Sequence, residues 1–242
     1  MTTVFLLRHG LTSLTGPVLA GRAPGTHLDE RGRAQATAAA DRLAVLPLAL
    51  VATSPLERCA ETARTVLAAQ RAAGRAPARR TERRLLECDY GDWTGREIKS
   101  LVKDPLWPVV QANPSAVTFP NGESMPAMAA RGVAAIRDLD RQVAAEHGDH
   151  AVWLACSHGD LIKSILADAL GMHLDLFQRI VVDPCSVSAI RYTAGRPFVL
   201  FSNSVTGELG QYVPTPPKPG RSRRRAATAD ATVGGGAGGG SV

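Results

Sequence analysis

Apolar residues recur along this chain in two rhythms that alternate. Unbroken runs at 4–7, 48–53 and 151–156 are too short for buried helices and predict buried strands. Between them the spacing changes to three and four residues. Ala36, Ala39, Ala40, Leu43 and Leu46 predict a helix over 28–46, with Asp29 as N-cap and Pro47 as stop. Ser54-Pro55-Leu56-Glu57 has capping-box spacing with a proline at the first helical position, which predicts a helix from there to about residue 73. Met125, Met128, Gly132, Ile136, Leu139 and Val143 predict a long helix over 124–147. A further helix is expected up to Leu170, with Asp160 as a candidate N-cap. Extended segments are expected at 81–86, 187–192 and 197–201. Strands alternating with helices imply an α/β protein with a mostly parallel sheet.

The connecting segments are uneven. Residues 11–27 form a Gly/Pro-containing loop long enough to act as a rim or lid. Residues 87–95 are acidic and punctuated by glycine. Residues 96–123, with Pro105, Pro108, Pro114 and Pro120, read as an insertion covering one side of a site. Past Val213 the chain turns Pro-rich, then basic, then Gly-rich, so the folded domain is expected over 1–213 and a disordered tail over 214–242.

Composition narrows the class. The hydrophobic content of 45 % over 242 residues suits one α/β domain with a sizeable core. Four scattered cysteines, Cys59, Cys88, Cys156 and Cys185, form no CxxC pair and fit reduced thiols in a cytoplasmic protein. No apolar run approaches the ~20 residues that span a bilayer. The N-terminus enters the first strand directly, with no secretory pattern, so no membrane association is expected. The formal net charge is +6, but Lys218, Arg221, Arg223, Arg224 and Arg225 against Asp230 put most of it in the tail. The body is close to neutral, which makes nucleic acid an improbable partner.

Candidate chemistry sits where strands end. The first strand closes in Arg8-His9-Gly10, the second feeds a helix whose first turn holds Arg58, and the third ends in Ser157-His158-Gly159. In an open α/β sheet, ligands bind beyond the carboxyl ends of the strands. A neutral imidazole can attack phosphorus, and guanidinium groups match phosphate oxygens. A two-His, one-carboxylate metal site from His9, His158 and Glu87 is conceivable, but Arg8 and Arg58 would repel a cation from the same pocket, so no metal or other cofactor is expected. Trp93 reads as packing, and Glu57 is accounted for by capping.

These residues carry a family resemblance. Leu7-Arg8-His9-Gly10, the stretch from Ser54 to Ala63, Glu87 with Gly91, Trp93 and Gly95, Asn121-Gly122-Glu123-Ser124, and Ser157-His158-Gly159 resemble the histidine phosphatase superfamily over residues 1–205, in the family's order. The resemblance implies a three-layer α/β/α, phosphoglycerate-mutase-like fold. It also implies a phosphohistidine on His9, with oxygens held by Arg8, Arg58 and His158, and Glu87 as the proton donor and acceptor. Thr15, Gly21 and Gly159 would complete the substrate pocket. Thr15 stands where many relatives carry asparagine, and Leu11 where they carry an acidic residue. The insertion offers Arg96, Lys99 and Lys103 but lacks the adjacent arginine pair of the sugar-acid mutases. The expected activity is therefore metal-independent hydrolysis of a small phosphomonoester, with a phosphomutase or a non-catalytic phospho-ligand binder as alternatives.

Overall fold

The computed structural model describes residues 1–213; the expectation for 214–242 lies outside the described residues. The elements run β1 (Thr2–Arg8), α1 (Glu30–Leu43), β2 (Leu48–Thr53), α2 (Glu57–Ala72), β3 (Ala78–Thr81), α3 (Ile98–Leu101), α4 (Trp107–Ala112), α5 (Met125–His147), β4 (Val152–Ser157), α6 (Gly159–Ala169), β5 (Val187–Tyr192) and β6 (Pro197–Ser204). Six strands make one sheet in the order β3-β2-β4-β1-β5-β6. Neighbours from β3 to β1 are parallel, and β5 and β6 form an antiparallel edge.

The sheet is covered on both faces because its strands alternate two apolar sets. Phe5 and Leu7 of β1, with Val51 and Leu154, pack on the α1 and α2 side against Ala36, Ala39, Leu43 and Val66. Val4, Leu6, Ala52 and Trp153 face the α5 and α6 side, against Met128, Ile136, Leu139, Leu161 and Ile165. This is the expected three-layer arrangement. Helix α5 buries the stripe its spacing predicts, with Ser124 accepting from Ala127 N as N-cap. Asp29 caps α1 by accepting from Gly32 N at 2.7 Å. Trp93 is buried and stacks on Trp107 at 6.1 Å between centroids. All four cysteines are free and buried.

Four expectations need correction. The third strand is Ala78–Thr81, an exposed edge, and not 81–86. Glu82 spends its N–H on Thr53 O and its carboxylate on Arg84 N, which turns 83–85 into a 3-10 helix that buries Leu85. Helix α1 stops at Leu43, three residues early. The capping box at Ser54 does not form. The Ser54 N–H already pairs with Cys156 O of β4, so this residue, just past the end of β2, stays tied to the sheet and α2 begins at Glu57 without a side-chain cap. Asp160 is likewise no N-cap; His158 holds that position and Asp160 lies inside the first turn of α6.

The loop over 11–27 and the insertion are laced together. Leu19 N donates to Arg96 O, Gly95 N to Leu19 O and Ile98 N to Pro17 O, and Val18 and Glu97 form an isolated bridge. The insertion thereby braces the loop from behind.

Candidate active site

Sheet register does the first work of assembly. Arg8 pairs with Ser157, and Thr53 with Cys156, so the chain leaves β1, β2 and β4 at one level, with His9, Ser54 and His158 side by side. The N-terminal turn of α2 then swings Arg58 across them. Gly10 lets the chain leaving β1 lie against α1, since a Cβ there would come within 2.5 Å of Gly32 O.

His9 is 6 % exposed. Its Nδ1 is 2.8 Å from Gly10 O, an atom that only accepts, so Nδ1 carries the hydrogen and Nε2 keeps its lone pair. Arg58 Nε donates to that Nε2 at 3.1 Å, and Arg58 Nη2 donates to Gly21 O at 2.7 Å. The same Nη2 lies 3.1 Å from His158 Nδ1, while His158 Nε2 donates to Ser54 Oγ at 2.8 Å. His158 therefore lies beneath the site, fully buried, its ring edge-on to His9 at 5.2 Å. Arg8 Nη1 donates to Val182 O at 2.7 Å. Two guanidinium N–H groups of the site, Arg8 Nε and Arg58 Nη1, are buried without a partner among the described residues. Buried polar groups are nearly always satisfied, so unspent donors on two adjacent cations mark an anion site.

A small cavity of about 200 Å³ opens above these groups. Its lining is made by Arg8, His9, Arg58 and Glu87, by Thr12, Thr15 and 18–21 of the loop, and by Tyr90, Gly159, Asp160 and Lys163. No residue of 96–123 lines it, which corrects the expectation that the insertion covers the site directly. Arg96 and Lys99 instead pair with Asp104 and Glu97. Thr15 reaches the rim, but its Oγ1 accepts from Thr12 N at 3.0 Å. Gly21 has φ +49°, and a Cβ there would stand 2.8 Å from the Tyr90 ring; only glycine places that carbonyl under Arg58.

Burial sets the proton affinities. His9 is held well below the usual imidazole range, first by desolvation and then by Arg58; its bond to Gly10 O opposes both. Desolvation and Arg58 lower His158 in the same way. Glu87 is pushed up to about 7 by burial and then by the Asp160 carboxylate, against the Cys88 N–H, Arg58 and Arg8. The site thus pairs a neutral imidazole with a carboxyl group protonated near neutrality. The Glu87 backbone is clamped, because its carbonyl accepts from Arg22 Nε and Arg131 Nη2, both at 2.9 Å.

Reading the sequence brought Arg8, His9, Thr15, Gly21, Arg58, Glu87 and Gly159 to this place, and all of them line the cavity. The expectation that His158 holds a phosphate oxygen is corrected: it is fully buried, outside that lining, with its ring nitrogens against Arg58 and Ser54. Sequence reading missed Tyr90, Asp160 and Lys163. Tyr90 O–H donates to Asp160 Oδ2 at 2.7 Å. The available signal was position: Asp160 follows His158-Gly159 directly, and Lys163 lies one helical turn beyond Gly159.

A parallel-sheet α/β fold with a histidine and two arginines at its strand ends defines a phosphate-handling class. The comparisons give the family: residues 4–205 match the model of the histidine phosphatase superfamily, branch 1, and the chain belongs to it. The chain is 28 % identical to phosphoserine phosphatase 1 of Hydrogenobacter thermophilus, covering 88 % of this chain and 96 % of that one. It is 29 % identical to a probable phosphoglycerate mutase of Proteus mirabilis, over 79 % and 86 %. Among solved structures, mycobacterial glucosyl-3-phosphoglycerate phosphatase superposes with a TM-score of 0.72 at 25 % identity, over 84 % and 98 %.

Proposed function

We propose that this protein is a phosphomonoesterase that hydrolyses a small phosphorylated metabolite through a phosphohistidine on His9, without a metal ion. The observation that carries this reading is the pair of unspent buried donors, Arg8 Nε and Arg58 Nη1, beside the unprotonated Nε2 of His9. In the first step His9 Nε2 forms a bond to phosphorus as the ester P–O bond breaks. Glu87 gives its proton to the departing alkoxide. For this, Arg58 Nε must pass its hydrogen bond from His9 to a phosphoryl oxygen, which places its charge where charge accumulates. In the second step Glu87, now a carboxylate, takes a proton from water as the new O–P bond forms and the N–P bond breaks. His158 and Ser54 act from below by fixing Arg58.

Hydrolysis is favoured over mutase chemistry by the walls of the pocket. A mutase must hold a second anionic group and exclude water, yet the insertion contributes no cation to the cavity lining. The test is phosphate release from a panel of phosphomonoesters with chelator present, for the wild type and His9→Ala. Turnover that survives the chelator and disappears in the variant is expected. Loss with chelator would restore the metal reading, and a folded protein inactive on the whole panel would favour a mutase or a binder.

A further inference from the structure

On the phosphatase reading above, we infer that Asp160 selects the leaving group: the preferred substrates are phosphate esters of small amino alcohols, whose ammonium meets the Asp160 carboxylate, and esters with a second anionic group are disfavoured. Three observations carry this. Asp160 lines the same cavity as His9 and Glu87. Its Oδ2 is fixed by the Tyr90 hydroxyl at 2.7 Å. Among the described residues its Oδ1 meets only the Lys163 ammonium, at 3.8 Å, which is beyond hydrogen-bond length. The carboxylate is thus held by one oxygen, while the other has a distant ion pair and no hydrogen bond among the described residues.

The charges around it leave room for one more cation. Arg8 and Arg58 are matched by the phosphoryl group once it binds. Lys163 donates to Gln178 Oε1 at 3.0 Å and lies over the Phe177 ring at 5.8 Å, so its charge is drawn toward the neighbouring 3-10 segment. Glu87, the other carboxyl group in the cavity, enters the reaction protonated. Asp160 is then the anion left without a full partner, and the cavity is small enough that the first atoms of the leaving group come within its reach. An ammonium two carbons from the ester oxygen gains a charge-assisted hydrogen bond there, whereas a carboxylate at the same place meets like charge.

Three near-isosteric esters test it: O-phosphoethanolamine, 2-hydroxyethyl phosphate and 2-phosphoglycolate, which end in an ammonium, a hydroxyl and a carboxylate. Their kcat/KM values are compared at one pH in the wild type, Asp160→Asn and Lys163→Met. Ratios between substrates within one variant cancel any effect of the substitution on Glu87, and asparagine can still accept from Tyr90. The expected wild-type order is ammonium, hydroxyl, carboxylate, with the first exceeding the last by at least about tenfold, the worth of one charge-assisted bond. Asp160→Asn should collapse that ratio toward one, and Lys163→Met should widen it. A wild type that prefers the carboxylate, or a preference for the ammonium that survives Asp160→Asn, overturns the assignment to Asp160 while leaving the phosphatase reading intact. Silence on these three esters from a wild type that turns over others of the panel overturns the selection alone, and a folded wild type inactive on the whole panel overturns the phosphatase reading and the selection with it.

Discussion

His9 and Glu87 occupy the same pocket with opposite needs, and burial meets both. Desolvation disfavours whichever form is charged, so it strips the proton from the imidazole and keeps one on the carboxyl group up to about pH 7. The neighbours refine this, since Arg58 pushes the imidazole further and Asp160 the carboxyl group. The activity of the wild type on an alkyl phosphate should therefore fall on the alkaline side of about pH 7, as Glu87 loses the proton it must donate. An ester whose leaving group needs no proton separates this role from mere positioning. For Glu87→Gln, kcat on an alkyl phosphate should drop by about 10²–10⁴-fold, the usual range for loss of a general acid. On p-nitrophenyl phosphate, the first step should be nearly unaffected and the alkaline limb should vanish from burst-phase kinetics. A variant whose first, burst-phase step is equally impaired on both esters would remove the proton-donor role from Glu87.

At the scale of elements, the turn between β2 and α2 links folding to the site. Ser54 donates its N–H to β4 and its hydroxyl oxygen accepts from His158 Nε2, and His158 in turn meets Arg58. Ser54→Ala leaves the buried His158 Nε2–H with only the weak acceptor Cys59 Sγ, 3.4 Å away, which should lower unfolding stability by about 1 kcal/mol in urea denaturation and slow turnover through a looser Arg58. Unchanged stability would mean that the His158 ring finds another partner. Ser54 also shows why the sequence was legible only in part. Local rules placed the strand, the helix and Arg58 in its first turn. They misassigned the serine, because the capping signature is local while the demand of β4 for that N–H comes from a residue about a hundred positions away. The core stripe of α5 and the strand ends were readable because periodicity records burial directly. The exposed strand β3 buries nothing and left no periodic mark. Asp160 read as a cap for the same reason as Ser54: its partner, Tyr90, lies on a loop whose path only the whole fold fixes.

For the whole molecule, the buried cluster couples stability to pH with a sign that can be worked out. In the unfolded chain His9 and His158 bind protons as the pH falls below about 6.5, whereas in the folded protein both are lowered and stay neutral. Their contribution to stability is therefore present above the unfolded value and is lost as pH falls. Glu87 runs the other way: raised from 4.5 to about 7, it favours the folded state at low pH and loses that contribution as pH rises through 7. At about pH 5.5 the unfolded chain holds nearly two protons on this cluster and the folded protein one, an excess that shrinks as pH approaches about 6.5. Stability from these groups then rises with pH, by up to about 1.4 kcal/mol per pH unit. Replacing one histidine isolates the effect from every other titrating group. In His9→Asn the unfolded chain loses one imidazole, which is about 0.9 to 0.6 protonated between about pH 5.5 and 6.3, so the slope there should be shallower than that of the wild type by about 0.8–1.2 kcal/mol per pH unit. Urea denaturation of both proteins across that window measures the difference directly. Parallel slopes would mean that His9 keeps its proton in the folded state, and an imidazolium at that position could not attack phosphorus.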